Sequence, residues 1–167
     1  MLTMTKYSAK GASIEQFKSF IDDPVPVAAV LNNRLTPERL DDDEGEMVYH
    51  MNFKAPFPVS NRSTVLTYYR VQDGENGCLR LLTSSMGNDE IAASIKKKIG
   101  SNVLTDYYIG GSKIIPVEGG VELIQLLAQD LKGSMPTFVQ NMVGKRASRN
   151  GKYTAEYILH KKVPEQD

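Results

Sequence analysis

Apolar and polar positions alternate through the middle of the chain. Across residues 46–53, Met47, Tyr49, Met51 and Phe53 fall on one side and Val48, His50 and Asn52 on the other. This is the period-two pattern of a strand. The spacing predicts further strands over 64–72, with Thr64, Leu66, Tyr68 and Arg70 on one face, and over 78–84. The turn Asp73-Gly74-Glu75-Asn76-Gly77 joins these two as a hairpin. Between the first two strands lies Phe53-Lys54-Ala55-Pro56-Phe57-Pro58-Val59-Ser60-Asn61-Arg62. Its prolines lack amide donors and fix φ, so this stretch reads as a rigid extended crossing and not as a central strand.

The flanks complete the order of elements. A strand of mixed character is expected at 3–10. Ser13-Ile14-Glu15-Gln16 has the form of a capping box, and Ile14, Phe17, Phe20 and Ile21 share a helical face that Pro24 and Pro26 bring to an end. Val27–Leu31 fits one further helical turn. Residues 34–40 read weakly as a strand, with Pro37 placing it at an edge, and the acidic run 41–45 reads as a solvated hairpin tip. After the strand at 78–84, Asn88–Ile99 predicts a short amphipathic helix with Asn88 as its cap, Ile91, Ile95 and Ile99 on one face, and Lys96, Lys97 and Lys98 in its last turn. Strands are expected at 102–109 and 113–117, separated by a bend or bulge at Gly110-Gly111. A long strand at 121–131 carries apolar residues on both faces, which predicts cover on both. Ser134 reads as the cap of a last helix with Pro136 in its first turn. Met135, Phe138, Val139, Met142 and Val143 form its apolar stripe. Beyond it, residues 151–167 read as a frayed basic tail.

This order predicts an α+β fold in which a strongly curved antiparallel sheet of about seven strands wraps a long C-terminal helix, the space between them forming an internal hydrophobic cavity. A chain of 167 residues fits one domain and can bury a full core. Lys plus Arg and Asp plus Glu both number 20, giving zero formal charge. That balance argues against a nucleic-acid binder, which needs a basic excess. Cys78 is the only cysteine, so no intrachain disulfide can form, and it reads as a small strand residue. The N-terminus has no long apolar run and Leu at position 2, so neither a signal peptide nor myristoylation is expected. No stretch reaches the length of a membrane span. A cytoplasmic monomer is the expectation.

Three segments in order resemble the StAR-related lipid-transfer (START) family, within the wider Bet v 1-like helix-grip fold. Pro56-Phe57-Pro58-Val59-Ser60-Asn61-Arg62 resembles the family's PFPxSNRD segment. Val103-Leu104-Thr105-Asp106-Tyr107-Tyr108 with Ile115-Pro116-Val117-Glu118-Gly119-Gly120 resembles its V-x-x-E-Y…I-x-P-x-x-G-G region. Asp130-Leu131-Lys132-Gly133-Ser134-Met135-Pro136 is similar to the D-x-x-G-x-x-P lead-in to the last helix, in the DLKG form of the sterol branch. On this resemblance residues 1–150 are a START-like lipid-binding domain that begins at the Bet v 1-like core, without the family's usual leading helix and strands. Ser63 replaces the Asp that usually follows the motif's Arg, so Arg62 is expected to anchor the loop and not to touch ligand. The strand positions that hold a buried acid–base pair in the sterol branch are Tyr49 and Tyr68 here.

The resemblance implies a non-catalytic carrier of one hydrophobic lipid (a sterol, a phospholipid or a fatty acyl lipid) with no cofactor and no metal. Alternation assigns Tyr49, Met51, Phe53, Leu66 and Tyr68 to the cavity wall, with Leu81, Tyr108, Leu123, Gln125, Phe138 and Met142 as further candidates; for each, plain core packing is the alternative. Phe57 is expected at the rim. Lys96, Lys97 and Lys98 either complement a helix C-terminus or meet anionic head groups during a transient membrane contact. Two other readings remain open. One is a START-like regulatory or interaction module without lipid transfer; the other is a polyketide cyclase or hydrolase of the same wider fold. The only histidines, His50 and His160, have no recognisable metal-ligand or triad neighbourhood.

Overall fold

Alternation in the sequence becomes one sheet in the computed structural model, which describes residues 1–43, 46–74 and 77–163. The strands are β1 (Leu2–Lys10), β2 (Leu35–Asp43), β3 (Glu46–Phe53), β4 (Arg62–Gly74), β5 (Cys78–Ser84), β6 (Val103–Leu104), β7 (Asp106–Val117) and β8 (Gly120–Asp130). Seven pair antiparallel in the order β1-β8-β7-β5-β4-β3-β2, and the two-residue β6 adds to β4 in parallel. Hairpins set most of the registers, which is why neighbours in sequence are mostly neighbours in the sheet. Parts of the expected turns (Glu44 and Gly45, Glu75 and Asn76) and the last four residues of the expected tail, 164–167, lie outside the described residues.

The helices cover the two faces unequally. A 3₁₀ turn (Ile14–Phe17) runs into α1 (Lys18–Asp22), and α2 (Val25–Leu31) follows. Gln16 Oε1 accepts from the Ser13 N–H at 2.8 Å, one half of the expected capping box. Phe17, Phe20 and Ile21 bury themselves against Met47, Tyr49, Leu79, Ile114 and Leu123 at one end of the inner face. The outer face has its own small core, in which Val48 and Val65 meet Ala92 and Ile99 of α3 (Asp89–Ser94) and α4 (Lys96–Ile99). Asn88 does not cap α3 through its side chain. It is buried instead, with Oδ1 accepting from Thr67 Oγ1 and Nδ2 donating to the Val65 carbonyl, both at 3.1 Å. The inserted helices are thereby fastened to β4.

Further expectations need correction. The expected break at Gly110-Gly111 does not occur: β7 is continuous from Asp106 to Val117, and its bulge lies earlier, between Tyr107 and Ile109. The glycines serve close approach, since a Cβ on Gly111 would lie 2.9 Å from the Leu81 carbonyl oxygen. The last helix, α5 (Thr137–His160), is longer than expected and is capped at Pro136, not Ser134. Residues 151–160 are no frayed tail, because Gly151, Thr154 and Ala155 are buried on the sheet side. A basic composition hid that face, whose small residues allow close packing on β1. Finally, cover on the outer side of β8 is partial: Ile124 and Glu122 are half-buried there, and Glu122 pairs with Lys6 at 2.8 Å.

Candidate functional site

The inner face of the sheet is filled at one end and hollow at the other. Beyond the 3₁₀ turn and α1, the sheet, α2 and α5 enclose a pocket of about 370 Å³. The strands position its floor by simple alternation. β3 supplies Met51 and Phe53, β4 supplies Leu66 and Tyr68, β5 supplies Leu81, and β8 supplies Gln125. Met142 enters from α5, three residues on from Val139 and so on the same side of the helix. These seven expected residues are brought together.

The other four expected residues lie outside the lining, each for a local reason. Tyr49 is only 6% exposed, but it belongs to the packed end. Its hydroxyl donates to Asp23 Oδ2 at 3.0 Å, and its ring stands edge-on to Tyr68 with centroids 6.0 Å apart. Leu123 shares that core with Phe17 and Ile114. Tyr108 is 50% exposed because the bulge inserts one residue and turns Tyr107 inward in its place. Phe138 is 59% exposed: it lies just outside the stripe of Val139, Met142, Val143 and Arg146 that faces the pocket. Phe57, expected at the rim, points away at 96% exposure; its peptide bond to Pro58 is cis.

Alternation over the strands alone missed several wall residues. α2 contributes Val27, Ala28 and Leu31. On the sheet, Thr5, Thr64, Thr83 and Ser112 also face the pocket. The available signal was a breach of binary patterning, since polar residues occupy inward positions on four strands.

Burial governs the titratable groups of the wall. Desolvation raises the Tyr68 hydroxyl far above the usual phenol range, with Tyr107, Asp23 and Tyr49 adding to it, and pushes Tyr107 up to about 12. Both are neutral hydrogen-bonding groups at physiological pH. The charged residues of the lining, Arg34, Arg62, Lys145, Arg146 and Arg149, are all cationic. Arg146 donates to the Leu31 carbonyl and so ties α5 to α2. Arg62 is buried and donates to the carbonyls of Ser60, Leu131 (3.2 Å) and Lys132 (3.1 Å). It thereby clasps the Pro-rich crossing to the segment that leads into α5. Desolvation lowers the pKa of its guanidinium. His50 is not among the lining residues: it is buried, with Ser63 Oγ at 3.3 Å and Glu38 Oε2 at 3.7 Å.

Among the described residues, no helix is long and apolar enough to cross a membrane. No family model matches the chain. No curated protein matches it either. Solved structures do. The fold superposes on human STARD10 with a TM-score of 0.71 at 13% identity, over 92% of this chain and 61% of that one. Human StAR-related lipid transfer protein 5 gives 0.70 at 13% identity, over 93% of this chain and 74% of that one. Ara h 8.0201 gives 0.52 at 12% identity, over 95% of this chain and 97% of that one. The chain spans less than two thirds of the STARD10 structure. An open, curved antiparallel sheet closed over by a long C-terminal helix is common to this chain and to these structures, and the chain has the helix-grip fold of START domains and their Bet v 1-like relatives.

Proposed function

We propose that this chain is a non-catalytic carrier that holds one hydrophobic lipid between the sheet and α5. The observation that carries the reading is the pocket itself: about 370 Å³, within the roughly 300–1,000 Å³ typical of small-molecule sites, with Met51, Phe53, Leu66 and Leu81 on its floor. Burying a lipid chain there gains about 0.8 kcal/mol per CH₂, so shape and apolar area suffice for binding. The superposition on human StAR-related lipid transfer protein 5 supports the same reading. The cationic lining on the α2–α5 side suits a polar or anionic head group. A catalytic reading has less support, since His50 is not among the lining residues and burial makes the Tyr68 hydroxyl a weaker acid than an ordinary phenol.

Exchange with a membrane follows from exposed apolar groups near the start of α5. Phe57 is solvent-facing at the tip of the crossing, and the same crossing lies against Gly133, Ser134 and Pro136. Lys96–Lys98 suit this role less well, because α4 covers the outer face and Lys98 is paired with Glu38.

Native mass spectrometry of the purified protein, before and after incubation with lipid vesicles, tests the carrier reading. A one-to-one lipid complex is expected. Met51→Trp and Leu66→Trp should each fill the floor and abolish it while leaving the fold intact by circular dichroism. A protein that retains no lipid and takes up none from vesicles would remove the reading.

A further inference from the structure

The inner face changes chemistry along its strands. At the packed end the inward residues are apolar, as in Leu79, Ile114 and Leu123. Two or four residues further along the same strands they become Thr83, Ser112 and Gln125, and β1 and β4 add Thr5 and Thr64. Among the described residues, the buried side-chain atoms without a hydrogen-bond partner are Thr5 Oγ1, Thr64 Oγ1, Thr83 Oγ1, Gln125 Oε1 and Arg80 Nε. All but the last belong to pocket-lining residues. Native interiors leave few such atoms, and their concentration in one hollow needs a cause.

Gln125 is the centre of this polar row. Thr5 of β1 and Ser112 of β7 are its cross-strand partners. Gln125 Nε2 donates to Ser112 Oγ at 3.2 Å, and Oε1 is left unpartnered. Both Thr5 Oγ1 and Gln125 Oε1 lie beneath α5, where a Cβ on Gly151 would stand 2.9 Å from the first and 3.7 Å from the second. A methylene chain laid over these atoms would exclude water and satisfy none of them. A hydroxyl satisfies them whichever way the Gln125 amide is turned, because it both donates and accepts. A carbonyl only accepts.

We propose that the lipid of this pocket is a hydroxylated amphiphile whose hydroxyl group sits inside the pocket on the row Thr5–Gln125–Ser112, with Gln125 as the specificity-determining residue. The proposal rests on the carrier reading above and names the ligand's chemical class.

The test is competition between stearic acid and hydroxystearic acids carrying the hydroxyl near the carboxylate, in mid-chain or further out. All share one head group and chain length, so the cationic side of the pocket contributes equally to each. Native mass spectrometry of equimolar pairs reads the ratio of complexes directly. Wild-type protein should prefer at least one positional isomer by about tenfold. Gln125→Leu and Thr5→Val should each remove most of that preference, read as the ratio of the two complexes in one sample, with Ser112→Ala as a further variant should either fail to fold. If stearic acid binds as well as every hydroxy acid, the hydroxyl inference is wrong and the carrier reading stands. A preference that survives all of these substitutions would also overturn it, since the hydroxyl would then sit elsewhere. Binding of none of the acids removes the carrier reading and this inference with it.

Discussion

Ionising Tyr68 or Tyr107 would place a phenolate in a wall that offers little solvation, and burial accordingly raises both hydroxyls, Tyr107 to about 12. In the unfolded chain each titrates near an ordinary phenol value of about 10. The neutral forms therefore stabilise the fold fully below about pH 10, and the contribution is lost as pH rises toward the folded values. Urea denaturation between pH 9 and pH 12 should show stability falling with pH, and Tyr68→Phe with Tyr107→Phe should flatten that fall. Equal slopes in wild type and variant would remove this account. Residues differ in how plainly the sequence marks their place in the wall. Met51, Phe53, Leu66 and Leu81 were legible because their strands are regular and alternation fixes the inward phase. Tyr107 was not, because a bulge of one residue at Tyr107–Ile109 inverts that phase and leaves no clear mark in composition. Tyr49 has the right phase, yet periodicity cannot tell a hollow from a site filled by Phe17, Phe20 and Asp23.

At the scale of elements, α5 shows how a helix can be placed correctly and measured wrongly. Its apolar stripe from Val139 to Val143 was readable, but the face that continues it is Gly151, Thr154 and Ala155, a run chosen for closeness and not for hydrophobicity. The two glycines of α5 consequently differ. Around Gly144 a methyl group would meet nothing within 4 Å, so Gly144→Ala should stabilise by about 1 kcal/mol through helix propensity alone. At Gly151 the same change meets Thr5 Oγ1 at 2.9 Å. Gly151→Ala should fall at least about 1 kcal/mol short of Gly144→Ala, and a Thr5→Ala background should recover the difference. Thermal melts of the two single variants and the double variant read that coupling directly. The strands themselves were placed to within a few residues, because hairpins and period-two runs are local signals. α3 and α4 were legible as an insertion, although the side chain expected to cap them, Asn88, proved to be their fastening to β4.

For the whole molecule, the architecture was readable because strand order and a final helix leave few ways to bury one curved face. The division of that face into a packed end and a hollow was not, since it depends on where the 3₁₀ turn and α1 stop. Arg62 belongs to this scale as well. Its bonds to Leu131 and Lys132 join positions 69 and 70 residues apart, whereas most strand pairs are hairpin neighbours. Replacing it leaves three carbonyls without their donor, so Arg62→Met should destabilise by about 3 kcal/mol. That loss should fall almost entirely on one rate. Leu131 and Lys132 lie just beyond β8 and far from Arg62 in sequence, so a clasp that closes late is the expectation: Arg62→Met should speed unfolding and leave the folding rate nearly unchanged in stopped-flow measurements. A slowed folding arm would mean that the clasp helps to nucleate the sheet. On the expected outcome Arg62 sets how long the finished molecule lasts, and has little part in how quickly it is made.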